Sequence, residues 1–321
     1  MNKKALITGI TGSGASYLAE YLLDQELEVH GISRWHSTSS ARNIGQIRNR
    51  LHLHDCDLTD FSSVLTTLDK IRPDYVFHLA AHANVRSCFD NPLAVINNNV
   101  NNTINLFEAI KFLKLDPVIQ LCGTSECYGL VKPENTPISE SHPLNPVNIY
   151  AVSKLTQEKI ALSYFYCYGL KVIVTRMFAY INPRRGDIFS SAFAKQIVEL
   201  EKNYSPEYNK IYHGNLNSVR TLIDVRDAMR SYWVASQKCR YGEVYNIGGK
   251  DTLSVGDFLD VLIKKSTKEI EKVLNPKLLR PADVTLQVPD ITKFQEETGW
   301  QQQYSLEESI EFLLDFYRDE I

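Results

Sequence analysis

Through the first 176 residues, short apolar runs alternate with segments of helical period. The runs are 4–9, 28–32, 75–80, 118–122 and 171–176, and between them the apolar positions of 16–25, 62–70, 93–113 and 150–168 recur every three to four residues. Runs of this length, each followed by a helix, predict strands of a parallel sheet covered on both faces. Their order predicts an α/β fold with a doubly wound, Rossmann-type sheet.

Beyond Arg176 the pattern becomes irregular and richer in Pro, Asn and Arg, and Ile181-Asn182-Pro183-Arg184-Arg185-Gly186 reads as a loop. Glu243-Val244-Tyr245-Asn246-Ile247, followed by Gly248-Gly249, reads as a further strand, so the chain is expected to leave the first sheet and return to it. The expected division is 1–176 plus 217–248 for a cofactor-binding domain, and 177–216 plus 249–321 for a smaller, interleaved C-terminal substrate domain. An amphipathic helix with acidic residues on one face is expected over 306–317.

Composition narrows the function classes. A chain of 321 residues that is 44% hydrophobic can bury a sizeable core, and a net charge of -3 with no long basic run argues against nucleic acid as a partner. Met1-Asn2-Lys3-Lys4 ahead of Ala5-Leu6-Ile7 has the start of a leader, but Thr8-Gly9 breaks the apolar run too early, and no stretch is long enough to span a bilayer. A cytoplasmic enzyme without a membrane partner is expected. The six cysteines (Cys56, Cys88, Cys122, Cys127, Cys167 and Cys239) are scattered without a CxxC, so reduced and mostly buried thiols are expected. His52 and His54 alternate along a strand-like segment without a third ligand, and no metal is assigned.

The first run ends in Thr8-Gly9-Ile10-Thr11-Gly12-Ser13-Gly14-Ala15, a glycine turn between a strand and a helix, where a dinucleotide pyrophosphate can sit on backbone N–H groups. Gly9, Thr11, Gly12, Ser13 and Gly14 are the expected contacts, and Ala15 stands where a third glycine of the spacing would fall. The second run ends in Gly31-Ile32-Ser33-Arg34-Trp35, with no acid for a ribose 2′-hydroxyl, whereas Arg34 suits a 2′-phosphate; the expected cofactor is therefore NADP rather than NAD. Asp57 and Leu58 are candidate adenine contacts, Asp57 having a helix cap as its other reading. Leu79, Ala80 and Ala81 would let the chain pass close beneath the cofactor.

Tyr150 and Lys154 are four apart and share a helix face, where an ammonium favours the phenolate and makes Tyr150 a usable base. Glu126, in Gly123-Thr124-Ser125-Glu126-Cys127-Tyr128-Gly129, adds a carboxylate able to take a second, carbon-bound proton.

These motifs together resemble the extended short-chain dehydrogenase/reductases and, more narrowly, the GDP-mannose 4,6-dehydratase family, with GDP-4-keto-6-deoxymannose reductases as a sister branch. Thr8 to Glu20, Val29 to Arg34, Pro183-Arg184-Arg185-Gly186, Gly214-Asn215-Leu216 with Arg220, Asp224-Val225-Arg226-Asp227 and Leu279 to Val284 carry the resemblance. It implies a nucleotide-sugar 4,6-dehydratase that turns a GDP-hexose into its 4-keto-6-deoxy form, the alternatives being a 4-keto reductase, a C4 epimerase or a C4 dehydrogenase. By the same resemblance Tyr150 takes the C4 hydroxyl proton, Thr124 bonds the C4 oxygen, Glu126 removes the C5 proton, Ser125 does proton work at C6, and Lys154 holds Tyr150 and the nicotinamide ribose. Arg185, Asn215, Arg220, Arg280 and Asp283 would hold the GDP-sugar, and Arg184 would reach the cofactor phosphate of a neighbouring subunit. The helices over 93–113 and 150–168 resemble a four-helix subunit seam, which implies a homodimer or homotetramer. Three departures stand out: Phe178-Ala179-Tyr180 in place of Phe-Asn-His, Asn102 in place of a glycine, and Asn148-Ile149 in place of Ser-Pro. The first removes an amide that would contact the sugar or diphosphate, and the changes are expected to touch the pocket edge more than the chemistry.

Overall fold

A computed structural model describes residues 2–34, 41–203, 205, 207, 209–266, 268–279 and 283–321. The first half runs β1 (Lys4–Thr8), α1 (Ser13–Asp24), β2 (Glu28–Ser33), β3 (His52–Asp55), α2 (Phe61–Ile71), β4 (Tyr75–His78), α3 (Ser87–Asp90), α4 (Pro92–Phe112), β5 (Val118–Cys122), α5 (Ile149–Tyr168) and β6 (Lys171–Met177). The second half runs β7 (Tyr180–Ile181), α6 (Phe189–Lys202), β8 (Lys210–His213), β9 (Val219–Asp224), α7 (Val225–Lys238), β10 (Glu243–Ile247), β11 (Asp251–Ser254), α8 (Val255–Lys265), β12 (Glu271–Leu274), β13 (Leu286–Gln287), α9 (Thr292–Thr298) and α10 (Leu306–Glu320).

Seven strands form one sheet in the order β10-β6-β5-β4-β1-β2-β3, with every neighbouring pair parallel. The expected α/β class and doubly wound sheet are therefore what the chain adopts, and β10 returns to the sheet edge beside β6. One face of the sheet is covered by α1 and α7, with Tyr17, Leu18 and Tyr232 in the core; the other is covered by α2, α4 and α5, with Leu68, Phe107 and Ala161. A smaller sheet of β11, β9 and β13, with β7 attached to β9, packs on a third core that includes Phe193, Phe258 and Leu313. β9 thus pairs within the small sheet although it falls in the 217–248 stretch expected in the first domain, and Phe294 and Trp300, from the stretch after 249, pack in the core of the large sheet. Among the described residues no helix is long and apolar enough to cross a membrane.

Helix ends follow local chemistry. Asp60 caps α2 by accepting from the N–H groups of Ser62 and Ser63, Asn148 caps α5 through Ala151, and Gly169 ends α5 in the left-handed conformation. Ser305 and Glu308 close a reciprocal capping box on α10.

A buried polar network joins the strand ends that face the site. Thr8 Oγ1 accepts from the N–H groups of Leu79 and Ala80, both at 3.1 Å, so its own proton goes to His78 Nδ1 at 2.9 Å. Thr103 donates to Asn99 O and accepts from Gln157 Nε2 at 2.6 Å, which leaves it to accept from His78 Nε2–H at 3.1 Å. His78 is thereby fixed as one neutral tautomer with both nitrogens satisfied, and a proton added at Nδ1 would face the Thr8 hydroxyl hydrogen. Burial, then the charge of Lys154, pushes His78 down to about 3 from an ordinary 6.5.

The sign of the pH effect follows. Between 6.5 and about 3 the unfolded chain takes up a proton at His78 that the folded chain refuses, so stability falls as pH drops through that window. The loss approaches ~1.4 kcal/mol per pH unit. In urea unfolding measured from pH 7 to 4.5, His78→Asn should show a pH slope shallower by about one proton; an unchanged slope would refute the assignment.

Candidate active site

One cavity of about 1140 Å³ opens along the carboxyl ends of the large sheet's strands, between that sheet and the small one. It gathers residues from the glycine turn, the end of β2, the segments after β3 and β4, the turn after β5, the start of α5 and the small sheet.

At its floor the turn after β1 is shaped for a dinucleotide. Gly9 has φ +70, and a Cβ there would come within 3.0 Å of the Ala80 backbone; a Cβ on Gly12 would meet Gly9 O at 3.0 Å. Gly12 is the N-cap of α1, no side chain caps that end, and its first turn carries no acid, so the helix offers its N–H groups to an anion. Ala15, in place of the third glycine, is buried with its methyl in the core beside α7. Thr11, Ser13, Gly14, Leu79, Ala80 and Ala81 also line the cavity. The residues present therefore fit a dinucleotide.

The exposed Arg34 lies at the cavity wall, and its charge, after burial, helps push His82 down. Leu58 lines the cavity with Asp57, whose Oδ1 accepts from the Thr59 N–H at 2.9 Å; the helix cap belongs to Asp60, leaving Asp57 its place at the cavity. Asn102 is buried in the same wall, and its Oδ1 has no hydrogen-bond partner among the described residues.

The chemical groups lie above. Thr124 opens the one-turn 3-10 helix Ser125–Tyr128: its Oγ1 accepts from Glu126 N–H at 3.3 Å, and its side chain also bonds the Tyr150 hydroxyl. It therefore combines a cap with a site contact. Ser125 is buried and Glu126 half-buried, both at the cavity, with Tyr150 and the buried Lys154 beside them. Burial, reinforced by Cys122, raises the Tyr150 hydroxyl above its ordinary value, while Arg185 and the Thr124 bond pull it down. Lys154 is itself pushed down by burial, against the influence of Cys122. Arg185 thus adds a second cation that favours the phenolate, beside the ammonium that the spacing places at Lys154.

Glu126 is held at both carboxylate oxygens. Asn148 Nδ2 donates to Oε2 at 3.1 Å and Gln287 Nε2 to Oε1 at 3.4 Å. Asn148, expected mainly at the pocket edge, thus bonds the Glu126 carboxylate directly while its Oδ1 caps α5 at 2.8 Å. Sequence reading missed Gln287 altogether, since nothing local marks a contact made across 161 positions.

On the small-sheet side, Asn215 donates to Asp283 Oδ2 at 3.0 Å, Ser218 does so at 3.1 Å, and Arg220 lies 3.9 Å from the same carboxylate while donating to Val219 O and Val284 O. Arg185 reaches the cavity and donates to Ala83 O at 2.8 Å and to Asp187 at 3.0 Å. Arg280 lies outside the described residues. Arg184 is engaged within its own chain, at 2.6 Å from Glu20 and stacked 3.9 Å from the centre of the Tyr17 ring, and does not line the cavity. Tyr180, in the first departure from the family pattern, stands over the start of α1, its hydroxyl 3.4 Å from where a Gly14 Cβ would be.

Beneath the site a buried ion pair fixes α5 to the sheet. Arg176, near the end of β6, donates from Nε and Nη2 to the two oxygens of Glu158 at 2.9 and 2.7 Å. Its Nη1 donates to Tyr128 OH at 2.8 Å and to Glu140 O at 3.1 Å. Tyr128 in turn donates to Asn246 Oδ1 of β10 at 2.7 Å. One guanidinium thus ties together the helix that carries Tyr150, the turn that carries Glu126 and the returning strand.

A family model described as GDP-mannose 4,6 dehydratase matches residues 6–313. GDP-mannose 4,6 dehydratase 2 of Arabidopsis thaliana is 31% identical over 98% of this chain and 86% of its own length. Among solved structures, the UDP-glucuronic acid 4-epimerase of Bacillus cereus, in complex with UDP-glucuronic acid and NAD, superposes with a TM-score of 0.86 at 27% identity, covering 99% of this chain and 100% of that one. RMD from Pseudomonas aeruginosa, complexed with NADPH, gives a TM-score of 0.85 at 24% identity over 100% of both chains, a likeness of fold.

Glu158→Gln would leave Arg176 buried beside a neutral partner, and should lower the unfolding free energy by about 3–5 kcal/mol in urea titration. Replacing both residues by apolar ones, Arg176→Met with Glu158→Leu, should cost less than that single change; a loss under about 1 kcal/mol for Glu158→Gln would show that the pair is not critical.

Proposed function

This chain belongs to the GDP-mannose 4,6 dehydratase family, and on that footing we propose that it is a nucleotide-sugar 4,6-dehydratase acting on a GDP-hexose with NADP as its cofactor. What supports the reading most is the Glu126 carboxylate sharing one cavity with Thr124, Tyr150 and Lys154, because simple oxidation or epimerisation at C4 needs no carboxylate base.

A dinucleotide held by Gly9, Gly12 and the free end of α1 would supply reversible hydride storage between C4 and C6 of the sugar, with no net change in its redox state. Tyr150 accepts the C4 hydroxyl proton while Thr124 bonds the same oxygen, and Arg185 favours the charged phenol that this step requires. The resulting C4 ketone acidifies C5–H. Glu126 takes that proton, the C6 hydroxyl leaves as water with a proton supplied from the Ser125 side, and a proton returns to C5. Arg185, Arg220, Asn215 and Asp283 form the seat for the nucleotide and its phosphates, where guanidinium groups can bind phosphate oxygens in pairs. The glycine turn and the free end of α1 hold the cofactor pyrophosphate, and Arg34 its 2′-phosphate. Leu93, Phe112 and Tyr166, exposed on α4 and α5, are the apolar surface that a pairing of two subunits would cover.

Purified protein incubated with GDP-mannose should yield a product lighter by one water, with no net change in NADPH absorbance. Steady consumption of reduced cofactor on a keto sugar would instead mark a reductase. Glu126→Gln should keep C4 oxidation and lose about 100-fold or more of dehydration; undiminished water loss would exclude Glu126 as the base.

For the cofactor, calorimetric titration should show NADP binding more tightly than NAD. Arg34→Leu should weaken NADP by about 10- to 100-fold while leaving NAD nearly unchanged. Equal affinities in the parent protein would overturn the choice.

A further inference from the structure

The Glu126 carboxylate is reached by two amide donors that come from separate parts of the fold. Asn148 ends the loop before α5 and stands two residues from Tyr150; its amide orientation is fixed because Oδ1 accepts the Ala151 N–H, which turns Nδ2 toward Glu126. Gln287 comes from β13 of the small sheet, is buried, and lies in register with Arg220 on the parallel neighbour β9. Residues in register on parallel strands project to the same face, and both of these line the cavity. Arg220 in turn neighbours Asp283, which Asn215 and Ser218 hold.

A carboxylate on a flexible three-bond side chain must be aimed at one carbon to remove its proton. A single anchor leaves the carboxylate free to swing, whereas two anchors on opposite oxygens fix its plane. Neither amide titrates in the working pH range, so neither can serve as the proton acceptor. The geometry of the second anchor matters further, because β13 also forms part of the wall that holds the nucleotide.

We infer that Gln287 is a positioning residue for the base, one that ties the aim of Glu126 to the strand pair forming the nucleotide seat. The inference rests on the reading of Glu126 as the group that removes the C5 proton. Gln287→Met keeps the length and bulk of the side chain and removes the donor. Gln287→Glu keeps its shape and sets an acceptor where the donor stood.

Both variants are to be compared with the parent enzyme, as full chains with bound cofactor, on a GDP-hexose and on the same sugar deuterated at C5. The expected result is kcat lower by about 10- to 100-fold, KM within about threefold, and a larger isotope effect from C5 deuterium, because proton removal becomes the slow step. A merely structural role would reduce the active fraction and leave the isotope effect where it was. Active parent enzyme with kcat within about twofold and an unaltered isotope effect in both variants would overturn this inference alone. A parent enzyme that forms no 4-keto-6-deoxy product from any nucleotide sugar would overturn the dehydratase reading and this inference together.

Discussion

The buried pair of Arg176 and Glu158 is the constraint on which the site's geometry depends. Two unit charges enclosed by the fold are tolerable only when each satisfies the other and the remaining donors find partners. Here the guanidinium meets both carboxylate oxygens, the Tyr128 hydroxyl and the Glu140 carbonyl, while Lys159 lies 3.3 Å from Glu158 at the helix surface. Because those partners come from β6, α5, the turn after β5 and the loop beyond it, none of these elements can shift without stranding a charge. The requirement to keep the pair intact holds Tyr150 and Glu126 in fixed relation.

The neutral network around His78 is the counterpart of that ionic one. Gln157 and Glu158 are adjacent on α5; the first bonds Thr103 of α4, the second Arg176 of β6. Ser153, Lys154, Gln157 and Glu158 are all buried, so α5 turns a largely polar side inward. Most helices are held by apolar contact alone. This one is also held by directional bonds, which fix rotation about its axis as well as distance, and Tyr150 and Lys154 need both to face the cavity.

Much of this was legible in the chain. The large sheet's strands, the glycine turn and the spacing of Tyr150 to Lys154 are local patterns, set by backbone sterics and by side-chain direction along a helix. Thr124 and Glu126 were readable because they follow a strand directly. What escaped were relations between distant segments. Gln287 has no signature of its own on a two-residue strand, Asn148 looked peripheral until its amide was seen to serve two partners, and β9 joined the small sheet. Spacing puts Lys154 beside Tyr150, but only the folded state reveals how deeply that ammonium is enclosed and that Arg185, from another loop, adds its own pull on the phenol.

The return of β10 to the large sheet has a consequence for how this architecture can be altered. The chain leaves the large sheet at the end of β6, runs through α6, β8 and β9, packs α7 back on the sheet face and re-enters as β10 parallel to β6, Asn246 opposite Arg176 in the ladder. Asn246 also reaches across to Ile138 O and Asp290 O, and its N–H to Glu140. The smaller lobe draws on chain from both sides of β10, Phe193 from before it and Phe258 and Leu313 from after it, so a chimaera that exchanges the lobe must change two stretches of sequence while leaving the β6–β10 ladder and α7 in place.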